Sequence, residues 1–256
     1  MTHTVQLLIT CLVDSLYPEV GESVVRVLRN AGIQVGFPRG QTCCGQPAYN
    51  AGLRSEARRM AEYTIRTFEA TDGAVVIPSG SCAAMIRHSY GDLFADDAAC
   101  LPRARRLAAR TFELSEYLVD VLGLADLGAR FEGKIGYHAS CHLLRELGVD
   151  RQPRLLLNSL HGADVIEIAG AQECCGFGGV FSIEHPELSA AMLERKIQSI
   201  EQSQAEAVIS CDAGCISHIN GGLHRRGLSP RLVHLAAVLD APSSIPDDPG
   251  SQPIGG

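Results

Sequence analysis

Two Cys-Cys-Gly triplets, at 43–45 and 174–176, each stand between two further cysteines at nearly matching distances. Cys11, Cys43, Cys44 and Cys82 form one set, with gaps of 31 and 37 residues. Cys141, Cys174, Cys175 and Cys215 form the other, with gaps of 32 and 39. The two sets are offset by 130 residues at Cys11/Cys141, 131 at the vicinal pairs and 133 at Cys82/Cys215. A chain that keeps such spacings twice is a tandem repeat, and 256 residues are enough for two compact units of about 100–130 residues each.

The context repeats with the cysteines. Val5 to Thr10 and Lys134 to Ser140 are apolar runs that end in cysteine, and Gly73–Ile77 and Glu206–Ser210 are short β-branched runs just before the last cysteine of each set. Runs of this length read as buried strands of a parallel sheet. Between them, Val20, Val24, Val27 and Leu28 recur at helical spacing after Pro18, with Gly32 closing the helix. Leu188, Ala191 and Met192 onward follow Pro186 in the same manner, and further helices are expected over 55–68, 115–122 and 232–239. Strands alternating with helices give an α/β fold: two similar domains, each a small parallel sheet flanked by helices. A Gly-, Asp- and Ala-rich stretch from Gly123 to Gly133 marks the boundary, so the expected units are 1–125 and 130–240. The Pro-, Ser- and Gly-rich tail, 241–256, is expected to be disordered.

A net charge of -7 argues against a nucleic-acid binder. No run reaches about 18 apolar residues, so no membrane span is expected. The apolar run at Val5–Ile9 is too short for a secretion signal, and ten cysteines without one suggest metal or redox chemistry in a cytoplasmic protein rather than a disulfide framework.

Four thiolates per unit is the ligand count of an iron–sulfur cluster. Cys11, Cys82, Cys141 and Cys215 each follow a predicted strand and precede a helix, which collects them at the carboxyl edge of a sheet. Two neighbouring cysteines can face one centre only through a sharp turn, which Gly45 and Gly176 permit. The second turn continues as Phe177-Gly178-Gly179, the first as Gln46-Pro47, so the two sites are expected to differ in potential or occupancy. Zinc also takes four thiolates in a closed site and is the alternative occupant. Cys100 and Cys211 have no repeat partner and read as buried structural residues. His138 and His142 flank Cys141, either packed or tuning the site, and Asp212 is close enough to Cys215 to bond within its loop. The basic stretch from Arg103 to Arg110 reads as a solvated helix face or a docking surface. No dinucleotide fingerprint, P-loop or Ser/His/Asp constellation is evident.

Four stretches, Cys43–Gly52, Tyr137–His142, Cys174–Ser182 and Asp212–Cys215, resemble the cysteine-rich CCG-domain family, and in particular its lactate-utilization branch. The resemblance covers the chain to about residue 240. It implies one or two [4Fe-4S] clusters per chain on Cys11, Cys43, Cys44, Cys82 and on Cys141, Cys174, Cys175, Cys215. It also implies an electron-transfer role beside partner proteins of the LutB and LutC type in oxidising L-lactate to pyruvate. Other members of the family serve glycolate, glycerol 3-phosphate or disulfide substrates. Some relatives build non-cubane clusters with a fifth cysteine in a final C-x-x-C; here Ser79 and Asp212 hold that position, so ordinary four-thiolate clusters are expected, with Cys211 the only nearby substitute.

Overall fold

The computed structural model describes residues 4–240, so the tail expected to be disordered lies outside the described residues. Four parallel strands, β1 (Thr4–Leu7), β2 (Gln34–Gly36), β3 (Ala74–Ile77) and β4 (Thr111–Glu113), form one sheet in the order β2-β1-β3-β4. A second all-parallel sheet, from β5 (Arg130–Tyr137), β6 (His161–Ile166), β7 (Ala207–Ser210) and β8 (Arg231–His234), repeats that order as β6-β5-β7-β8. The helices of the first half are α1 (Cys11–Leu16), α2 (Pro18–Asn30), α3 (Gln46–Asn50), α4 (Arg54–Glu69), α5 (Gly80–Ala84), α6 (Tyr90–Leu93), α7 (Leu101–Ala109) and α8 (Leu114–Glu116), the last running on as a π turn over Tyr117–Val121. Those of the second half are α9 (Cys141–Arg145), α10 (Arg151–Asn158), α11 (Phe181–Glu184), α12 (Pro186–Ser203), α13 (Ala213–Arg225) and α14 (Leu235–Asp240).

The helix expected over 232–239 divides in two: Arg231–His234 pairs with β7 as a strand, and only Leu235–Asp240 is helical. A short run that is apolar apart from His234 carries no period that separates strand from helix. The helices expected over 55–68 and 115–122 lie within Arg54–Glu69 and Leu114–Val121.

Each sheet is buried on both faces, which is why β3 and β7 read as continuous apolar runs. Alternate residues point to different cores. Val75 and Ile77 join a core under α4 and α7, and Val208 joins its counterpart under α12 and α13. Val5, Leu7, Val76, Ile135, Tyr137 and Ile209 all face one central core shared by the two halves. That centre is closed by an exchange of helices. α14 of the second half packs on α2 of the first, and α8 with its π turn packs on α10 of the second. Arg26 Nε donates to Asp240 Oδ2 at 2.7 Å beside the first of these seams. Helix α7 carries its arginines against acids and carbonyls: Arg103 bridges both oxygens of Glu69, and Arg110 donates to the carbonyls of Phe68 and Gly73.

Candidate metal centre

Cys11 and Cys141 are the first residues of α1 and α9, at the carboxyl ends of β1 and β5. Cys82 and Cys215 stand in the first turns of α5 and α13, just beyond β3 and β7. The vicinal pairs arrive from loops in which Gly45 (φ 89°) and Gly176 (φ 91°) turn the chain through the left-handed region. Those glycines also bring their N–H groups onto sulfur: Gly45 N–H donates to Cys43 Sγ at 3.5 Å and Gly176 N–H to Cys174 Sγ at 3.4 Å. Within each half the four thiols touch in sequence. Cys11 donates to Cys43, Cys43 meets Cys44, and Cys44 Sγ lies 3.3 Å from Cys82 Sγ. Cys141, Cys174, Cys175 and Cys215 repeat the chain of contacts, ending at 3.5 Å between Cys175 and Cys215. All eight are free thiols, as are Cys100 and Cys211, both of which are buried in the interior.

The electrostatics single out one thiol per half. Hydrogen bonds from Cys11 and then Cys44 hold Cys43 down to about 3, with the Gly45 N–H adding to them. Hydrogen bonds from Cys141 and then Cys175 hold Cys174 down to about 2. The thiols that give those bonds are pushed up: Cys11 and Cys141 by the bond itself and then by burial, Cys44 and Cys175 by the bond, by a further bond to Cys82 or Cys215, and then by burial. Within each set one thiol therefore gives up its proton most readily, and loading a metal displaces the protons of the ligating thiols.

The two sets are not separate pockets. All eight cysteines line one cavity of about 140 Å³ between the halves. Its floor lies where α5 and α13 meet end to end. Asp212, the N-cap of α13, accepts from Gly214 N–H through Oδ1 at 3.1 Å. Through Oδ2 it accepts from the Ser79 hydroxyl at 3.1 Å and the Ser81 N–H at 3.0 Å, in the other half. Ser79 in turn caps α5 by accepting from Cys82 N–H, and Gly80 N–H donates to the Cys211 carbonyl. Asp212 thus bonds across the halves as well as within its own loop. The two residues that replace the first cysteine of a C-x-x-C cap the ligand-bearing helices and join the repeats.

Two buried residues occupy equivalent places at the ends of β4 and β8. His234 accepts from Ala236 N–H at Nδ1 and donates from Nε2 to the Pro78 carbonyl at 3.1 Å, which fixes its neutral tautomer. Burial pulls it down to about 4. Glu113 caps α8 through Oε2, leaves Oε1 without a partner, and is pushed up to about 7 by burial.

Behind the second set stand two polar residues. One ring nitrogen of His138 lies within 4.8 Å of the sulfurs of Cys175 and Cys215, and neither buried ring nitrogen makes a well-formed hydrogen bond among the described residues. Burial, and then the charge of Lys196, pull His138 down to about 3. Lys196, 3% exposed, donates to the Gly170 carbonyl and is paired with no carboxylate among the described residues. Its position was not foreseen, although the sequence holds a signal: a lone lysine on the apolar stripe of Leu193, Ile197 and Ile200. His142 sits at the cavity rim, 3.6 Å from Cys141 Sγ and 3.5 Å from Glu146.

These features suit a sulfur-ligated inorganic centre. The donors are soft, four in number per half and already in contact, and a buried cation beside the second set lacks the counter-charge that an anionic centre provides.

A family model described as CCG, cysteine-rich domain, matches residues 5–87 and again 135–220, which take in both cysteine sets. The chain belongs to this family. Within it, the chain is similar to lactate utilization protein A of an Exiguobacterium species, 46% identical over 237 residues, covering 92% of this chain and 96% of that protein. The protein of the same name from Anoxybacillus flavithermus is 45% identical (92% and 98% covered), and lactate utilization protein A 2 of Bacillus cereus is 42% identical (92% and 97% covered). Among solved structures, an aspartate racemase homologue from Pyrococcus horikoshii matches at 10% identity and a TM-score of 0.33, too slight a likeness to carry any argument. No described helix is long and apolar enough to cross a membrane.

Proposed function

We propose that the chain is an iron–sulfur electron-transfer subunit in the oxidation of L-lactate to pyruvate, acting in the cytoplasm beside partners of the LutB and LutC type. The observation that carries the reading is the convergence, in each half, of four free thiols that begin up to 71 residues apart along the chain in the first half and 74 in the second (82 − 11 and 215 − 141). Cys11, Cys43, Cys44 and Cys82 would hold one [4Fe-4S] cluster, and Cys141, Cys174, Cys175 and Cys215 the other. When bound, such clusters supply one-electron redox chemistry. The protein's own part is to hold the thiolates in register, to offer the Gly45 and Gly176 N–H groups to sulfur, and to keep the apolar cores dry behind them. The lactate substrate is inferred from the names of the relatives, which are identical at 42–46% over most of their length. From the duplicated cysteine sets and the Gly-rich stretch between them, the two repeats are proposed to extend over 1–125 and 130–240.

Anaerobic purification tests the reading. Iron and acid-labile sulfide at about eight of each per chain, a visible charge-transfer band, and a paramagnetic signal on reduction are expected. Addition of L-lactate and the partner proteins should bleach that band; dithionite bleaching it while lactate does not would retain the clusters and overturn the substrate. A zinc ion on His138, Cys175 and Cys215 is the competing reading, favoured by donor atoms that all lie within 4.8 Å of one another. Zinc without iron at the second site would establish it.

A further inference from the structure

The repeat allows the surroundings of the two cysteine sets to be compared position by position. Leu8 N–H donates to the Val76 carbonyl, and His138 N–H makes the same bond to Ile209, so Leu8 and His138 are equivalent. A Cβ placed on Gly45 would meet Ala57 and Met60, and one on Gly176 would meet Ser189 and Met192. That fixes α4 and α12 in register at an offset of 132, which makes Thr64 the counterpart of Lys196. Behind the first set the chain therefore places an aliphatic side chain and a hydroxyl. In the second set the same two places hold an imidazole and an ammonium.

Lys196 is the more consequential of the pair. It is buried with no paired carboxylate among the described residues; burial pulls its ammonium below the usual lysine range, and Glu173 and then the sulfurs of Cys175, Cys215 and Cys174 act in the opposite sense, favouring the charged form. A buried cation stabilises added negative charge nearby far more than an exposed one, because little water screens it. His138 adds a polar ring within 4.8 Å of two of the four sulfurs, where the equivalent place in the first half holds the apolar Leu8; the buried polar neighbour of the first set, the Tyr90 hydroxyl, donates to the Cys44 carbonyl at 2.9 Å. Charge and polar contacts at sulfur are among the levers that set a cluster's reduction potential.

We propose that Lys196 and His138 make the second cysteine set the higher-potential of the two cluster sites, so that the first electron the chain takes up resides there. The inference rests on the cluster reading above. It concerns the order of two potentials in one chain, whichever substrate or partner supplies the electron.

The test is a mediated redox titration of the full chain, reduced with dithionite and followed by paramagnetic resonance, with iron and sulfide measured on every sample. Cys43→Ser, which spares the second set, assigns its wave. The surviving wave is expected to be the higher of the two wild-type waves. K196T and H138L install the residues of the first site and are expected to shift that wave downward, K196T further than H138L, while the first wave stays in place. L8H, which leaves the second site untouched, is expected to raise the first wave. The inference is overturned if the wave surviving Cys43→Ser is the lower one. It is also overturned if the second wave stands still in K196T and H138L at full iron and sulfide, or if L8H leaves the first unmoved. A chain that binds no iron and sulfide overturns the cluster reading, and the inference falls with it.

Discussion

The two halves agree wherever a cysteine is positioned and differ in what surrounds it. Strand order, the glycine turns at φ 89° and 91°, the N–H···S contacts of 3.5 and 3.4 Å and the closing S···S distances of 3.3 and 3.5 Å are nearly superposable. Beyond the turn the paths separate. Gln46-Pro47 enters α3 directly, whereas Gly178 (φ 52°) and Gly179 (φ 61°) prolong the second loop. Behind the thiols Leu8 and Thr64 stand opposite His138 and Lys196, and at the seam Ser79 stands opposite Asp212. Bringing four thiols together thus demands little beyond one tight turn and two helix starts. The medium around them is free to diverge.

The comparison breaks most sharply at the ligands. Cys43→Ser and Cys174→Ser are each expected to remove about half the iron and sulfide, and retention of full content by either would remove that residue from its site. The turns come next. Gly176→Ala would place a Cβ 2.7 Å from the Ser189 carbonyl oxygen, whereas Gly45→Ala meets nothing closer than 3.3 Å. Strain in the left-handed region adds to both, so losses of about 3–4 and about 1–2 kcal/mol are expected in denaturant titrations. Equal losses would mean that the second loop yields more than its contacts suggest.

Acid and base should then separate the ends of β4 and β8. Glu113 rises from an ordinary 4.5 to about 7, so its protonated form favours the fold. That contribution is complete below about pH 4.5 and is lost as pH rises through 7, a change of up to about 3 kcal/mol. His234 falls from 6.5 to about 4, so its neutral form favours the fold, and stability is lost as pH falls from 6.5 toward 4. The two windows overlap with opposite sign and largely offset in the parent chain, so Glu113→Gln should leave stability rising with pH between about 4 and 6.5, and His234→Gln should leave it falling between about 4.5 and 7; unchanged profiles would mean that neither group titrates with unfolding. The smallest effect is at the seam. Asp212→Ala strands three donors and should cost about 2 kcal/mol, whereas Ser79→Ala removes one hydroxyl and should cost about 1.

Much of this was legible in the sequence because local rules apply to it. The repeat offsets marked out the two cysteine sets that converge, apolar runs marked β1, β3, β5 and β7, Pro18 and Pro186 marked helix starts, and Gly45 and Gly176 marked the turns. Features that depend on contact between halves were not legible. That Asp212 reaches Ser79, 133 positions away, follows from two helix ends meeting, and no spacing encodes it. The strand at Arg231–His234 was hidden for a related reason. It runs straight into α14 without a turn residue, and its apolar positions serve first the sheet and then α2 of the other half. Lys196 contradicts its own amphipathic stripe, and the groups that face it, the Gly170 carbonyl, Glu173 and the sulfurs of the second set, come together only in the folded chain.

The traded helices bear on how the molecule comes apart. α14 covers α2, and α8 with its π turn lies against α10, so each repeat wears a lid supplied by its twin. Melting either one strips apolar surface bare on the other. Calorimetry should accordingly register one sharp endotherm for the whole chain, and oxidative damage at one cysteine set should loosen the other repeat as well.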